Sequence, residues 1–220
     1  MGEARRKKLL QAAATSAPTI DQIEERVEIA RVSGAIRKLS EAASAHLGRD
    51  CHLHAALCRE ILSMHGVETR LVIGFAAWRV GDGHGDVILH APIANMIPQG
   101  QAVPFHAWLE IGPAESRHRI ILDFTTYQLR QKAAEMDQLD GGRTTVEWCP
   151  DYLAAQATQI SSLKQVTMKN KGLFFYQHNS EVERRILRDA RSLDQEDLDA
   201  LLILYRNPHV QVFGPNDQNR

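Results

Sequence analysis

The sequence is short of cysteine. Its 220 residues carry three, Cys51, Cys58 and Cys149. The number is odd and too small for a disulfide scaffold, so a reducing compartment is expected and at least one thiol is free for chemistry. An excess of charge of either sign is also missing. There are 26 basic and 27 acidic residues, a net charge of -1, whereas a nucleic-acid binder carries a basic surplus. Nucleic acid is therefore not expected as a partner. No apolar run approaches the roughly twenty residues that cross a bilayer, so no membrane partner is expected and the expected location is cytoplasmic. There is no internal repeat and no low-complexity tract. What is present is ordinary for a globular chain: 44% hydrophobic and 24% charged residues. The length suits one domain with additions.

The N-terminus opens with a basic cluster, Arg5-Arg6-Lys7-Lys8, whose following apolar stretch is too short and too polar for a signal peptide. It reads as a solvated tail. Order is expected from Thr19, where Thr19-Ile-Asp-Gln22 forms a capping box. Helical spacing then runs through Ile20, Ile23, Val27 and Ala30. Ser33-Gly34 reads as a break or bend, followed by a second stretch with Ile36, Leu39, Ala43 and Leu47 on one face and Gly48 as its stop.

Cys51 to His65 reads as a helix whose buried face holds Leu53, Leu57, Ile61 and Met64, ended by Gly66. Thr69 to Phe75, Phe105 to Ile111 and Arg119 to Phe124 read as strands, with a shorter one at Val87 to Leu89 inside a glycine- and proline-rich connection over 81–104. Such a connection suits a lid or a plain loop. Helices are expected at Gln128–Leu139, Tyr152–Ile160, from a capping box at Ser180–Glu183 to about Arg191, and at Asp194–Tyr205. Leu173 to Tyr176 has strand character. A helix followed by strands joined by turns predicts an α+β fold with an antiparallel sheet.

Cys51 is the residue with chemical potential. It opens a helix, where partial positive charge and free N–H groups stabilise a thiolate, the reactive form of cysteine. A cysteine nucleophile needs a base and a group to orient it. His106 and Asp123 lie on two strands that are neighbours in sequence. Antiparallel pairing would put them on one face, with Asp123 setting the tautomer of His106 and His106 taking the thiol proton. The N–H of Cys51 is a candidate oxyanion donor. Asp50 would place a negative charge beside the thiolate.

Three blocks resemble the transglutaminase-like superfamily of papain-like cysteine enzymes. Cys51 to Arg70 resembles its nucleophile helix and the turn into the next strand. Phe105-His106-Ala107-Trp108-Leu109-Glu110 resembles its His-Ala-Trp-x-Glu strand, and Ile121-Leu122-Asp123-Phe124-Thr125-Thr126 its Asp-Pro-Thr strand end. The order Cys, His, Asp is that of the family, and the resemblance spans roughly residues 40–127. Pro is missing from the turn after Gly66, and Phe124 stands where the family has Pro. The resemblance implies a papain-like core over 19–127 whose nucleophile helix packs on the sheet. Residues 1–18 form a flexible basic tail and 128–220 a helical C-terminal extension. It also implies a triad of Cys51, His106 and Asp123 and thioester chemistry on a protein or peptide substrate, with no cofactor. Peptidase, amidase or deamidase activity is expected. The alternatives are amine transfer of the transglutaminase type and an inactive binding module. The oligomeric state is open.

A metal site is the rival use of the same region. Cys51, His54 and Cys58 share a helix face, and His52, His65, His84 or His90 could add a metal ligand. No closely spaced pair such as C-x2-C is present, however, so no metal is expected. Cys58 and Cys149 are expected to be structural, Trp108 to be core, and Trp78 to serve either core or substrate groove.

Overall fold

The computed structural model describes residues 17–43, 50–91, 104–190 and 192–214. The basic cluster, the Gly48 stop and the segment 92–103 of the glycine- and proline-rich connection lie outside the described residues. The described residues form seven α-helices and one six-stranded sheet, every pairing of which is antiparallel. The helices are α1 (Ile20–Glu24), α2 (Ile29–Ala42), α3 (Cys51–Met64), α4 (Leu129–Asp140), α5 (Leu163–Met168), α6 (Ser180–Asp189) and α7 (Gln195–Arg206). The strands are β1 (Arg70–Arg79), β2 (Val87–His90), β3 (His106–Ile111), β4 (Ile120–Asp123), β5 (Leu153–Gln156) and β6 (Phe174–His178).

Thr19 caps α1 through the full capping box. Ser33-Gly34 does not break α2, which runs straight through them. The buried Ser33 hydroxyl donates to the Asp151 carbonyl at 3.0 Å, so the small pair lets a neighbouring segment approach. The break falls earlier, between α1 and α2. In α3, Leu53, Leu57 and Ile61 are buried, but Met64, at the last position, is exposed. Gly66, at φ 69°, ends that helix in a conformation that costs glycine little. The cap of α6 is Asn179 rather than Ser180. Its side chain accepts from the N–H groups of Glu181 and Val182.

Strand β1 is the organising element. Its first half pairs with β3 and its second half with β2 and β6. At Gly74 the partners His106 and His178 meet the same residue, and a Cβ there would run into the carbonyl oxygen of Gln177. The expected helix at Tyr152–Ile160 is instead β5 followed by a single 3-10 turn. Leu153 and Ala155 alternate inward, and pairing with the edge of β4 overrides the helical preference of the alanines. Residues 128–214 are thus not a purely helical extension. They supply two of the six strands, and the sheet crosses the expected boundary at 127.

Each face of the sheet buries its own core. One face carries Ile73, Ala107, Leu109, Ile111, Ile120 and Leu122 and packs under α2, α3 and α7. The other carries Val72, Trp78, Trp108, Ile121, Leu153, Ala155 and Tyr176 and packs under α4. Strand β3 is buried at all six positions because both of its faces are covered. Each large apolar side chain sealed in this way contributes about 1.5–3 kcal/mol.

Candidate active site

The alternation of β3 and β4 selects what shares a face. His106, Trp108 and Glu110 point one way on β3 and Ala107, Leu109 and Ile111 the other. The β3–β4 register pairs Leu109 with Leu122 and Glu110 with Ile121. Extended by one residue, it sets Asp123 opposite Trp108, so Asp123 is a diagonal neighbour of His106 on the same face. The contact follows: His106 Nε2 lies 2.8 Å from Asp123 Oδ2, with both side chains fully buried.

Asp123 is held on all sides. Its Oδ1 accepts from the N–H of Thr125 at 2.8 Å and the Thr125 hydroxyl at 2.9 Å. Its Oδ2 accepts from the Tyr176 hydroxyl at 2.6 Å as well as from His106. Trp78 Nε1 donates to the Tyr176 oxygen at 2.9 Å and so fixes the donor that fixes Asp123. A buried carboxylate is costly unless its lone pairs are met, and here four donors meet them. Burial alone would raise the Asp123 pKa. The His106 charge and hydrogen bond, the Lys132 charge and the Tyr176 hydrogen bond pull it well below the usual carboxylate range. Burial pushes His106 the other way from its net shift. The Asp123 charge and hydrogen bond, with the Cys51 thiol, more than offset that burial and raise the imidazole above its ordinary value.

Since Nε2 is committed to Asp123, the ring nitrogen left for other work is Nδ1, which is buried and makes no closed hydrogen bond. Cys51 lies within interaction range of the ring, at the first position of α3. The thiol is half-buried. Asp50 is the N-cap: its Oδ1 accepts from the N–H groups of His52 at 2.9 Å and Leu53 at 3.1 Å. These two bonds hold the carboxylate on the helix end. The N–H of Cys51 makes no hydrogen bond to a described residue.

The other two cysteines separate from Cys51. Cys58 is sealed in the core, and burial pushes its thiol well above its ordinary pKa. Cys149 Sγ donates to the carbonyls of Thr126 and Tyr127, each at 3.4 Å. Among the described residues no group of His, Cys, Asp or Glu is arranged to hold a metal ion.

The sequence alone leaves Trp78 between core and substrate groove and offers His90 only as a metal ligand, and it does not place Lys132 at all. Trp78 is fully buried and stands edge-on to His106, ring centroids 4.8 Å apart. His90 packs against both, 5.4 Å from Trp78 and 5.6 Å from His106. Lys132 of α4 places its ammonium 5.3 Å from the centre of the Trp78 ring. Thr125 lay in a recognised block. Tyr176 stood in a segment legible only as a strand, and Lys132 carried no signal at all.

Neither a family model nor a curated protein matches the sequence. A solved crystal structure of a genomics target is similar to this chain with a TM-score of 0.51 and 19% identity, covering 84% of this chain and 80% of that one. At that identity the likeness concerns the fold alone. The chain therefore has a mixed α+β fold around an antiparallel sheet, and no helix among the described residues is long and apolar enough to cross a membrane.

Proposed function

We propose that this protein is a cysteine-dependent acyl enzyme on a papain-like, transglutaminase-like core, acting on the amide bond of a peptide or protein side chain. The observation that carries the reading is the buried His106–Asp123 pair with Nδ1 unused, beside a cysteine at a helix N-terminus. Asp123 orients the ring and favours its protonated form, and His106 draws the proton from Cys51. The thiolate sulfur then bonds to the amide carbon while the C–N bond breaks. The proton held on His106 passes to the leaving amine or ammonia. Water, deprotonated by His106, attacks the thioester, the C–S bond breaks, and the carboxylate leaves with the thiol restored. The atoms balance with water alone, so the reaction needs no cofactor. The Cys51 N–H, uncommitted to any described residue, suits the developing oxyanion.

Iodoacetamide near neutral pH tests the reading. Cys51 is expected to be alkylated at least about tenfold faster than Cys58 or Cys149, as mapped by peptide mass, because only it has a base and a helix end. Equal, slow labelling of all three overturns the assignment. Cys51→Ala is expected to abolish turnover and to melt within a few degrees of the parent. For a substrate that is turned over, release of ammonia against incorporation of a labelled amine separates hydrolysis from transfer.

A further inference from the structure

Helix α4 presents Leu129, Ala133 and Met136 to the sheet. Lys132 is three residues after Leu129 and four before Met136, so it shares that inward face, where the spacing calls for an apolar residue. Placing an ammonium there costs free energy unless the charge is used. The aliphatic stem is half-buried and the ammonium lies over the ring of Trp78 at 5.3 Å, a favourable cation–π arrangement. That ring is the one standing 4.8 Å from His106. Lys132 makes no ion pair or hydrogen bond to any described residue. Asp123, the nearest acid of the site, already has its four donors from His106, Tyr176 and Thr125. Glu135, on the same helix, and the thiols of Cys51 and Cys149 also fall within reach of its charge. All three N–H donors of the ammonium are thus unspent beside the nucleophile.

We propose that Lys132 is the anion-reading group of this site and selects acyl substrates that carry a carboxylate close to the carbonyl attacked by Cys51. The inference rests on the cysteine-enzyme reading above. It names a substrate class, an amide with a nearby carboxylate, and makes Lys132 the residue that determines it.

The test needs no known substrate. Iodoacetate and iodoacetamide alkylate the same sulfur, each forming an S–CH2 bond with loss of iodide, and differ only in the carboxylate of the first. Second-order rates at Cys51 are measured on the full chain at neutral pH with each reagent. In Lys132→Gln the ratio of the iodoacetate rate to the iodoacetamide rate is expected to fall roughly threefold to tenfold, the scale of one unit charge several ångströms away in a partly wet site. Lys132→Arg, which keeps the charge, is expected to retain most of the ratio. In the parent protein the ratio is expected to drop when salt is raised to about 0.5 M, because screening erodes such an attraction. That arm needs no variant to fold. A ratio unchanged in Lys132→Gln overturns the proposal, as does a fall of both rates together, which would mean that Lys132 acts on the thiol and not on the incoming group. Slow, equal alkylation of all three cysteines in the parent overturns the catalytic reading itself, a different and recognisable result.

Discussion

The two ends of strand β3 each bury an acid beside a basic group, and they are built differently. At the first end, His106 meets Asp123, both fully buried, in a shell of Tyr176, Trp78 and Thr125. Near the other end, Glu110 accepts at Oε2 from Arg70 Nη2 at 2.6 Å and from Arg119 Nε at 3.1 Å, and at Oε1 from Trp108 Nε1 at 3.1 Å. The bases at that end are guanidiniums that stay charged at any ordinary pH, and both reach partly into solvent. A clamp made of permanent charges ties β1, β3 and the approach to β4 together and has no proton to give. At the His106 end the base is an imidazole, raised above its ordinary value by the Asp123 charge, which can take up and release a proton, and it leaves one nitrogen uncommitted. Burial and pairing alone do not mark a reactive site. The titratable partner and its unspent atom are what set the His106 end apart.

Breaking the two ends separately should have opposite consequences. The largest effect is expected from Asp123→Asn, which keeps the shape but removes the charge that holds His106. The rate of Cys51 alkylation at neutral pH, or of turnover on a substrate, should drop about a hundredfold or more. A drop of less than twofold would mean that Asp123 is structural, like Glu110. Glu110→Gln should do the reverse. It leaves two guanidiniums without their counter-charge, costing about 2 kcal/mol of unfolding free energy by denaturant titration, while the alkylation rate of Cys51 stays within about twofold of the parent. A large loss of Cys51 reactivity at unchanged stability would erase the distinction between the ends.

Tyr176→Phe removes one of the four donors to Asp123 and strands Trp78 Nε1. It should cost about 1–2 kcal/mol in stability and lower Cys51 reactivity severalfold. The telling readout is the pH profile of alkylation, which should move with the weakened Asp123, whereas a purely structural role would leave it in place.

The smallest effect expected is on stability against pH. His106 is raised in the folded state, so its contribution is complete below the unfolded imidazole value of about 6.5 and is lost as pH climbs through the folded value. Asp123 is depressed, so its contribution is present above about 4 and fades only as acid approaches its lower folded value. The pair therefore stabilises most between about pH 4 and 6.5. The parent should lose more melting temperature than His106→Gln between mildly acidic and alkaline pH. Equal slopes would show that His106 does not titrate with the fold. The arginine end has no titrating base in this window and should add no such slope.

Much of the site was legible because its parts are local. A cysteine at a helix start follows from helix signals, whereas the capping role of Asp50, visible in the sequence only as a charge beside the thiol, comes from the structure. The placing of His106 and Asp123 on one face follows from the two-residue period of neighbouring strands. The capping box at Thr19 and the stop at Gly66 are likewise matters of a few adjacent residues. The misread elements were those whose state is decided from outside. Tyr152–Ile160 has a helical composition but forms β5 because β4 offers an unpaired edge. Gly34 looked like a breaker, yet α2 continues through it, held by its packing and by the Ser33 bond to Asp151.

The sequence by itself determined short-range facts: the cap at Thr19, the stop at Gly66, the alternation of the strands that carry His106 and Asp123, and which cysteine opens a helix. Only the tertiary structure decided what completes the site. β6 pairs with β1 across about a hundred residues of chain and carries Tyr176 to Asp123, and α4 folds its inward face under the sheet and sets Lys132 over Trp78. Such contacts depend on which apolar faces bury each other, and short-range periodicity fixes the faces without choosing the partner.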